Sequence, residues 1–242
     1  TPSLYEQRAD TRFVFQGTTV DIKYLSFGGL NPETVRTTEL AYLGEWPKAS
    51  LSVDARLFRE RVEGLITQKI YNLQPGQEFD FAKNPTAFEL RNTDSATITG
   101  LEYQLRWRPS SRTSVMFNHY MARRKGSAEF ITRSIPSNSV ILLASYAVTP
   151  KFNLSTLLSQ SSPMQWIAEE AAVGAQRELS LRAAYSLDLG ETRGTLALVA
   201  KQAMGYQAEF RGQKYLPPNS VQQPLPAQRL PSQLWLTFTL DY

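Results

Sequence analysis

The run Leu234-Trp235-Leu236-Thr237-Phe238-Thr239-Leu240-Asp241-Tyr242 decides the fold class. In an extended chain, successive side chains point to opposite sides. Leu234, Leu236, Phe238, Leu240 and Tyr242 then share one side, and Trp235, Thr237, Thr239 and Asp241 share the other. A helix would scatter these residues, because its apolar stripe repeats every three to four positions. The segment reads as a strand with one apolar and one mostly polar face.

The same alternation recurs upstream. Leu101, Tyr103, Leu105 and Trp107 oppose Gly100, Glu102, Gln104, Arg106 and Arg108 within Thr97–Arg108. Leu51, Val53, Ala55 and Leu57 oppose Ser50, Ser52, Asp54 and Arg56. Leu179, Leu181, Ala183, Tyr185 and Leu187 oppose Ser180, Arg182, Ala184, Ser186 and Asp188. Val140, Leu142, Ala144, Tyr146 and Val148 share a face, and Phe152–Gln160 and Gly194–Gly205 continue the series. Thr34–Trp46 places Leu40, Tyr42 and Trp46 together. In Thr113–Ala122 the pattern is divided, with Val115 and Phe117 competing against Met116 and Tyr120 for the apolar side. This makes nine candidate strands. Several run about ten residues, the length a tilted strand needs to cross a bilayer, where soluble strands average about 5–6.

The connections sharpen the reading. Pro47–Ala49, Pro109–Arg112, Thr149–Lys151 and Gly190–Arg193 are short. Thr67–Ala96, Arg123–Ser137, Ser161–Arg177 and Tyr206–Pro231 are long, and the two kinds alternate. Outer-membrane barrels combine short periplasmic turns with long extracellular loops, whereas a soluble sandwich does not sort its loops in this way. The expectation is an all-β, antiparallel up-and-down transmembrane β-barrel, present in part. Trp46, Trp107 and Tyr242 at strand ends suit an interfacial aromatic girdle. Nine strands leave an open edge, which lipid does not tolerate, and this points to missing strands before Thr1.

Composition agrees without deciding. The chain of 242 residues is 42% hydrophobic. It contains no run of about 20 apolar residues, so no membrane helix is expected. It starts with Thr1 and shows no signal peptide, which reads as a fragment or processed product. The absence of cysteine excludes disulfides, thiol catalysis and Cys-based zinc sites. The net charge of +4 is spread along the chain, and no basic block or motif supports nucleic-acid binding.

Four stretches resemble the C-terminal barrel of TonB-dependent receptors. Pro2-Ser3-Leu4-Tyr5-Glu6 is similar to a Pro-Ser-Leu-x-Glu stretch of that family. Leu30-Asn31-Pro32-Glu33 followed by Glu39-Leu40 resembles its Leu-x-Pro-Glu…Glu-Leu motif. Asn92 followed by Ile98-Thr99-Gly100-Leu101-Glu102 resembles an Asn…Ile-x-Gly-Leu-Glu strand, and Pro136 with Tyr146 resembles a descending strand. The terminal strand, with Leu236, Phe238, Leu240 and Tyr242, resembles the signal read by the barrel-assembly machinery, although Phe is commoner than Tyr at the last position.

The resemblance implies a 22-stranded barrel of a Gram-negative outer membrane, with a plug domain and a TonB-contacting segment that are not in this sequence. Residues 1–33 would be an extracellular loop region and residues 34–242 barrel strands and loops. It further implies TonB-driven uptake of a large scarce ligand, a ferric siderophore by default. The partners implied are outer-membrane lipid and lipopolysaccharide, the TonB complex through the missing N-terminal region, and the assembly machinery. A passive porin-like channel, an outer-membrane enzyme barrel and a soluble β-rich binding module are the rival readings.

No catalytic constellation, cofactor motif or metal-ligand cluster emerges, so an enzyme is not expected. His119 is the single histidine, has no evident partner in sequence and reads as structural. Arg56, Glu102, Arg106 and Arg182 would face the lumen and pair with each other or with the plug. Tyr71, Phe79, Phe81, Arg123, Arg124, Trp166, Tyr206 and Phe210, with Lys125 and Tyr215 beside them, fall in the long connections. Aromatic and cationic loop tips could capture an anionic ferric chelate by stacking and charge-assisted bonds. Loop packing and contact with lipopolysaccharide phosphates compete with that role.

Overall fold

A computed structural model describes residues 1–73, 86–165, 172–190, 192–203, 207–209 and 228–241. Helix α1 (Leu4–Arg8) leads into strands β1 (Asp10–Phe15), β2 (Thr18–Leu25), β3 (Thr34–Trp46), β4 (Leu51–Asn72), β5 (Thr86–Ser110) and β6 (Thr113–Gly126). Helix α2 (Glu129–Ser134) precedes β7 (Asn138–Ala147), β8 (Phe152–Ser161), β9 (Met164–Gln165) and β10 (Ala172–Val173). Then follow β11 (Gln176–Leu189), β12 (Thr192–Lys201), β13 (Gln207–Glu209), β14 (Gln228–Leu230) and β15 (Gln233–Asp241). All nine strands expected from alternation are present, as β3 to β8, β11, β12 and β15.

The chain divides into two compact units. The larger holds residues 38–59, 98–124 and 130–242. Within it β6, β7, β8, β11, β12 and β15 pair in that order, each antiparallel to the next. Their registers place one row of like residues after another on one face. Tyr146 lies opposite Leu154, Leu154 opposite Ala183, Ala183 opposite Leu198, and Leu198 opposite Leu236. Phe117 lies opposite Leu142, Leu142 opposite Leu158, and Leu158 opposite Leu179. The divided pattern of β6 is thereby resolved, since Val115, Phe117 and His119 join the apolar face while Met116, Asn118 and Tyr120 take the other.

Among the described residues of this unit, no protein layer packs against this apolar face. Leu181, Leu198 and Leu236 are 44%, 46% and 65% exposed. A soluble sandwich would bury them, as alternating strands bury their apolar side in its core. The buried apolar cluster of this unit lies on the opposite face, where Phe58, Ile98 and Ala122 pack with Tyr120 and Ile135. Gly100 belongs to that packing. A Cβ there would meet the Met121 carbonyl oxygen at 2.5 Å and the Phe58 ring at 2.7 Å, so no side chain fits.

The smaller unit holds residues 1–37, 60–97 and 125–129. Ile22, Leu73 and Ala87 form its apolar centre, with Leu25 and Tyr71 against them. β1 and β2 form an antiparallel hairpin with register shifts at Thr11/Arg12 and Phe13/Val14, and β2 meets β5 in a parallel contact at Tyr24 and Phe88. Residues 1–33, expected as an extracellular loop region, hold α1 and this hairpin. The run Phe13-Val14-Phe15 does not alternate, so period-two reading misses the strand. The long connection expected over Thr67–Ala96 is also shorter than read. β4 and β5 are 22 and 25 residues long and extend to Asn72 and back to Thr86. Their outer portions are polar on both faces, as in Arg91-Asn92-Thr93-Asp94-Ser95, so alternation carries no signal there.

Candidate functional site: the polar face and its flanking networks

On the polar face of the larger unit, Arg56 of β4 bridges two carboxylates. It meets Glu39 of β3 at 3.1 Å and Glu102 of β5 at 2.9 Å. Its guanidinium lies 5.2 Å from the centre of the Phe58 ring, which stacks on Tyr120. Beside it Gln104 donates to Asn118 at 2.7 Å. Asp54, Arg56, Glu102, Gln104, Asn118 and Ser139 line a concavity of about 540 Å³. These ions remain partly solvated, so the pairs set geometry more than stability. Arg56 Nε is buried without a hydrogen-bond partner among the described residues. Such a donor is open to an acceptor from another molecule or domain.

The structure thus brings Arg56 and Glu102 together. Arg106 lies apart on the same face, in a second concavity of about 590 Å³ with Glu45, Ser52 and Met116. Arg182 lies further off, opposite Ser155 and Val199. Glu39 was not singled out in the sequence. Its signal was its place in β3, one residue before Leu40, which puts it on the face opposite the apolar set.

Several residues assigned to loops lie in strands. Tyr71 is in β4, and its ring meets Phe27 edge-on at 5.0 Å. Arg123 and Arg124 are in β6, not in a connection. Alternation puts them on opposite faces, with Arg124 on the polar side, where its Nη1 is buried and unpartnered among the described residues. Phe79, Phe81, Trp166, Tyr206, Phe210, Tyr215 and Tyr242 lie outside the described residues. Leu236, Phe238 and Leu240 share the apolar face of β15, opposite Leu198, Leu196 and Gly194. His119 lies on that same face. Its Nε2 lies 3.0 Å from the Asn138 side-chain amide nitrogen and its Nδ1 3.1 Å from the Tyr103 hydroxyl oxygen. Both ring nitrogens thus have a polar neighbour. Among the described residues, no three His, Cys, Asp or Glu side chains gather as metal ligands.

The smaller unit explains three motif segments that sequence reading could only match. Ser3 and Glu6 form a reciprocal N-terminal cap on α1, each side chain bonding the other's backbone N–H, at 3.1 Å and 2.6 Å. The bond from the Ser3 N–H holds the Glu6 carboxyl below its ordinary range. Asn92 ties two distant segments together. Its Oδ1 accepts from the Asn31 N–H at 2.8 Å, and its Nδ2 donates to the carbonyls of Asn31 at 2.9 Å and Gly64 at 2.6 Å. Gly64 has φ +66°, a conformation that glycine adopts without strain. Glu33 accepts from the Ile66 N–H at 2.8 Å. The motifs around Asn31-Pro32-Glu33 and Asn92 are therefore two halves of one clamp. Asp94 is buried beside it, bonded to Thr67 and, at 2.6 Å, to Lys69. Burial alone would raise its pKa, but the bonds from Lys69, Thr67 and Ser127 outweigh burial and lower it. Replacing Asn92 by Ala should cost about 1–3 kcal/mol, because backbone groups of Asn31 and Gly64 lose their partner. Faster amide exchange at Asn31 and Ile66 in the full-length protein would report it, and unchanged exchange would refute the clamp.

Comparison with known proteins bears on the whole chain. Residues 1–238 match the family model of the TonB dependent receptor-like β-barrel. A comparison with curated proteins finds no match. Among solved structures, a mutant of the ferric enterobactin receptor PfeA of Pseudomonas aeruginosa bound to enterobactin superposes with TM-score 0.70 at 15% identity, over 99% of this chain and 36% of that one. The copper transporter OprC superposes with TM-score 0.62 at 13% identity, over 100% and 35%. FpvA of P. aeruginosa, in complex with a heterologous pyoverdine, superposes with TM-score 0.60 at 13% identity, over 87% and 27%. The chain thus spans about a third of the length of these structures, and at such identities the likeness shows the fold. The alternating strands, the exposed apolar face and the family match over residues 1–238 agree: the chain belongs to the TonB-dependent receptor-like β-barrel family.

Proposed function

We propose that this chain forms part of the wall of an outer-membrane receptor that takes up a large, scarce ligand with energy delivered through TonB. The observation that carries the reading is the separation of the two faces of the larger unit. One face is apolar, exposed and unpaired, which suits lipid. The other holds ion pairs and partly buried open donors, which suit a solvated interior. Charged residues inside membrane proteins face such interiors, where partners and water satisfy them.

In this reading Arg56, Glu102, Arg106 and Arg182 face the barrel interior. Arg124 lies towards the end of β6 that is away from the short turn at 110–113, the end this reading turns outward. Arg56 Nε and Arg124 Nη1 would donate to a carboxylate or carbonyl oxygen of the interior domain or the ligand. Catalysis has no part in this mechanism. Binding occurs at the extracellular end, and pulling on the interior domain opens a path. The last strand, with Leu236, Phe238 and Leu240 on one face, would be read by the assembly machinery. The default ligand is a ferric siderophore, which two of the structural neighbours' descriptions support, while the copper transporter makes copper the comparison.

The test uses the full-length receptor in cells with and without TonB. Accumulation of a labelled ferric siderophore that is saturable and absent without TonB is expected. Copper uptake in place of siderophore uptake would overturn the ligand. Ion conductance in planar bilayers without TonB, and no TonB-dependent uptake, would overturn the receptor reading in favour of a passive channel.

A further inference from the structure

Antiparallel strands joined by a tight turn take their register from the turn. β3 and β4, β5 and β6, β7 and β8, and β11 and β12 are joined in this way, by residues 47–50, 111–112, 148–151 and 190–191. β12 and β15 are not. Residues 202–232 lie between them, so no tight turn sets how far one strand stands along the other. Side chains must set it.

Alternation does only part of this. It forbids a slip of one residue, which would turn the apolar side of β15 to the polar face. It is blind to a slip of two. In the observed register Leu196 lies opposite Phe238 and Leu198 opposite Leu236. Sliding β15 by two residues one way would set Leu196 opposite Leu236 and Leu198 opposite Leu234. Sliding it the other way would set Leu196 opposite Leu240 and Leu198 opposite Phe238. The apolar face stays apolar in each case. On the polar face the register sets charge against charge only at the strand ends, where Arg193 lies opposite Asp241. Arg193 is exposed, and exposed ion pairs contribute little.

Gly194 distinguishes the observed register. Phe238 stands diagonal to it, and its ring covers the glycine. A Cβ on Gly194 would lie 3.1 Å from Cε2 and 3.3 Å from Cζ of that ring. Leu189 of β11 closes the socket, with its Cδ1 at 3.1 Å. In either slipped register the ring loses this place. Its diagonal neighbour becomes Leu196 in one, where a side chain already fills the space, and Thr192 in the other, at the turn. A glycine inside a strand weakens it and marks a close approach, and an aromatic ring laid over it covers the bare backbone. The same arrangement recurs where another tight turn is missing. β4 and β5 are separated by residues 73–85, and there the Phe58 ring of β4 takes the place of a Gly100 side chain on β5.

We propose that Phe238 and Gly194 form a register key for the last strand. The ring and its socket select one register among those that alternation allows. The width of a barrel follows from strand number and stagger together, so the key fixes a dimension of the closed wall at its final strand. Phe238 thereby positions β15 within the barrel, a role separate from recognition of that strand by the assembly machinery. The inference depends neither on the ligand nor on TonB-driven uptake.

The test reads register by disulfide formation in the full-length receptor, in outer-membrane fractions. The chain has no cysteine of its own, and Ala197 lies opposite Thr237. Ala197→Cys is combined with Thr237→Cys for the observed register, and with Trp235→Cys or Thr239→Cys for the slipped ones. Directly opposed positions lie within disulfide reach, whereas positions displaced by two do not. The parent should oxidise the 197–237 pair and not the displaced pairs. Gly194→Val fills the socket with a better strand former, and Phe238→Leu empties it while keeping the face apolar. Each should lower the 197–237 disulfide about fivefold and raise a displaced one, as the loss of a specific cross-strand pair would. The two changes together should do no more than one alone, because they break the same contact. Arg193→Gln should stay within about twofold of the parent. Only protein with heat-modifiable migration, and so folded, is counted. The parent's pattern retained in both Gly194→Val and Phe238→Leu would overturn the key. A shift in Arg193→Gln as large as that in Gly194→Val would overturn it too, by assigning the register to the charged strand ends. Should Gly194→Val fail to fold, Phe238→Leu decides by itself.

Discussion

Leu198→Arg is expected to destabilise the membrane-inserted full-length protein by about 2–4 kcal/mol, the cost of a cation near the midplane of a barrel's lipid face. Leu198 lies mid-strand in β12, opposite Ala183 and Leu236, and is 46% exposed. In water an arginine at so open a position would change stability by less than about 0.5 kcal/mol. The size of the effect therefore reports the solvent and not the packing. Ser159→Arg is the matched control. Ser159 lies on the polar face opposite Glu178, where a new cation finds a carboxylate and water. Equilibrium unfolding by denaturant from phospholipid vesicles would measure both. A cost for Leu198→Arg no greater than that for Ser159→Arg would show that the exposed apolar face does not meet lipid.

The second large effect is expected at Gly100. Its missing side chain leaves room for the Phe58 ring and for the Met121 carbonyl, and both would sit inside contact distance of an added Cβ. Gly100→Ala should cost about 1–3 kcal/mol as an overpacking change, and Gly100→Val more, because the strand backbone itself must move. Phe58→Leu in the Gly100→Ala background should recover only part of the loss. Trimming the ring frees one contact, but the backbone carbonyl remains. The yield of heat-modifiable folded protein in outer-membrane fractions, followed by unfolding of the purified variant, would measure this. Full recovery by Phe58→Leu would assign the clash to the ring alone.

Gly100 also shows how far residue patterns reach. In the sequence it is one position in an Ile-x-Gly-Leu-Glu match, with no stated reason for its size. The tertiary contact supplies the reason, a ring and a carbonyl from the two neighbouring strands. Asn92 is a similar case. It matched a family position, but its partners, Asn31 and Gly64, lie 61 and 28 residues away. No local pattern can announce such a bond. Ser3 and Glu6 are the opposite case. Their cap spans three residues, and a Ser-x-x-Glu spacing before a helix is readable in principle. The loop assignment for residues 1–33 passed over it.

Arg123 and Arg124 mark the boundary between the two kinds of knowledge. Beyond Ala122 the residues Arg123-Arg124-Lys125 are polar at every position, so alternation loses contrast and the strand reads as a loop. Only pairing with a neighbouring strand keeps the chain extended there, and only then do the two arginines separate to opposite faces. His119 stands isolated in the sequence, and its contacts with Tyr103 and Asn138 required strands β5, β6 and β7 side by side.

From residue order alone came the nine alternating strands, their antiparallel hairpin order and the division into apolar and polar faces. These follow from a two-residue period and from turn chemistry, which are local properties of the chain. The tertiary structure decided which polar residues meet, where β4 and β5 end, and which side of β6 is apolar. Those are consequences of register, and register is a relation between segments far apart in sequence. A one-residue slip would reverse the face of every side chain on a strand, so it is set by the packing of whole strands together.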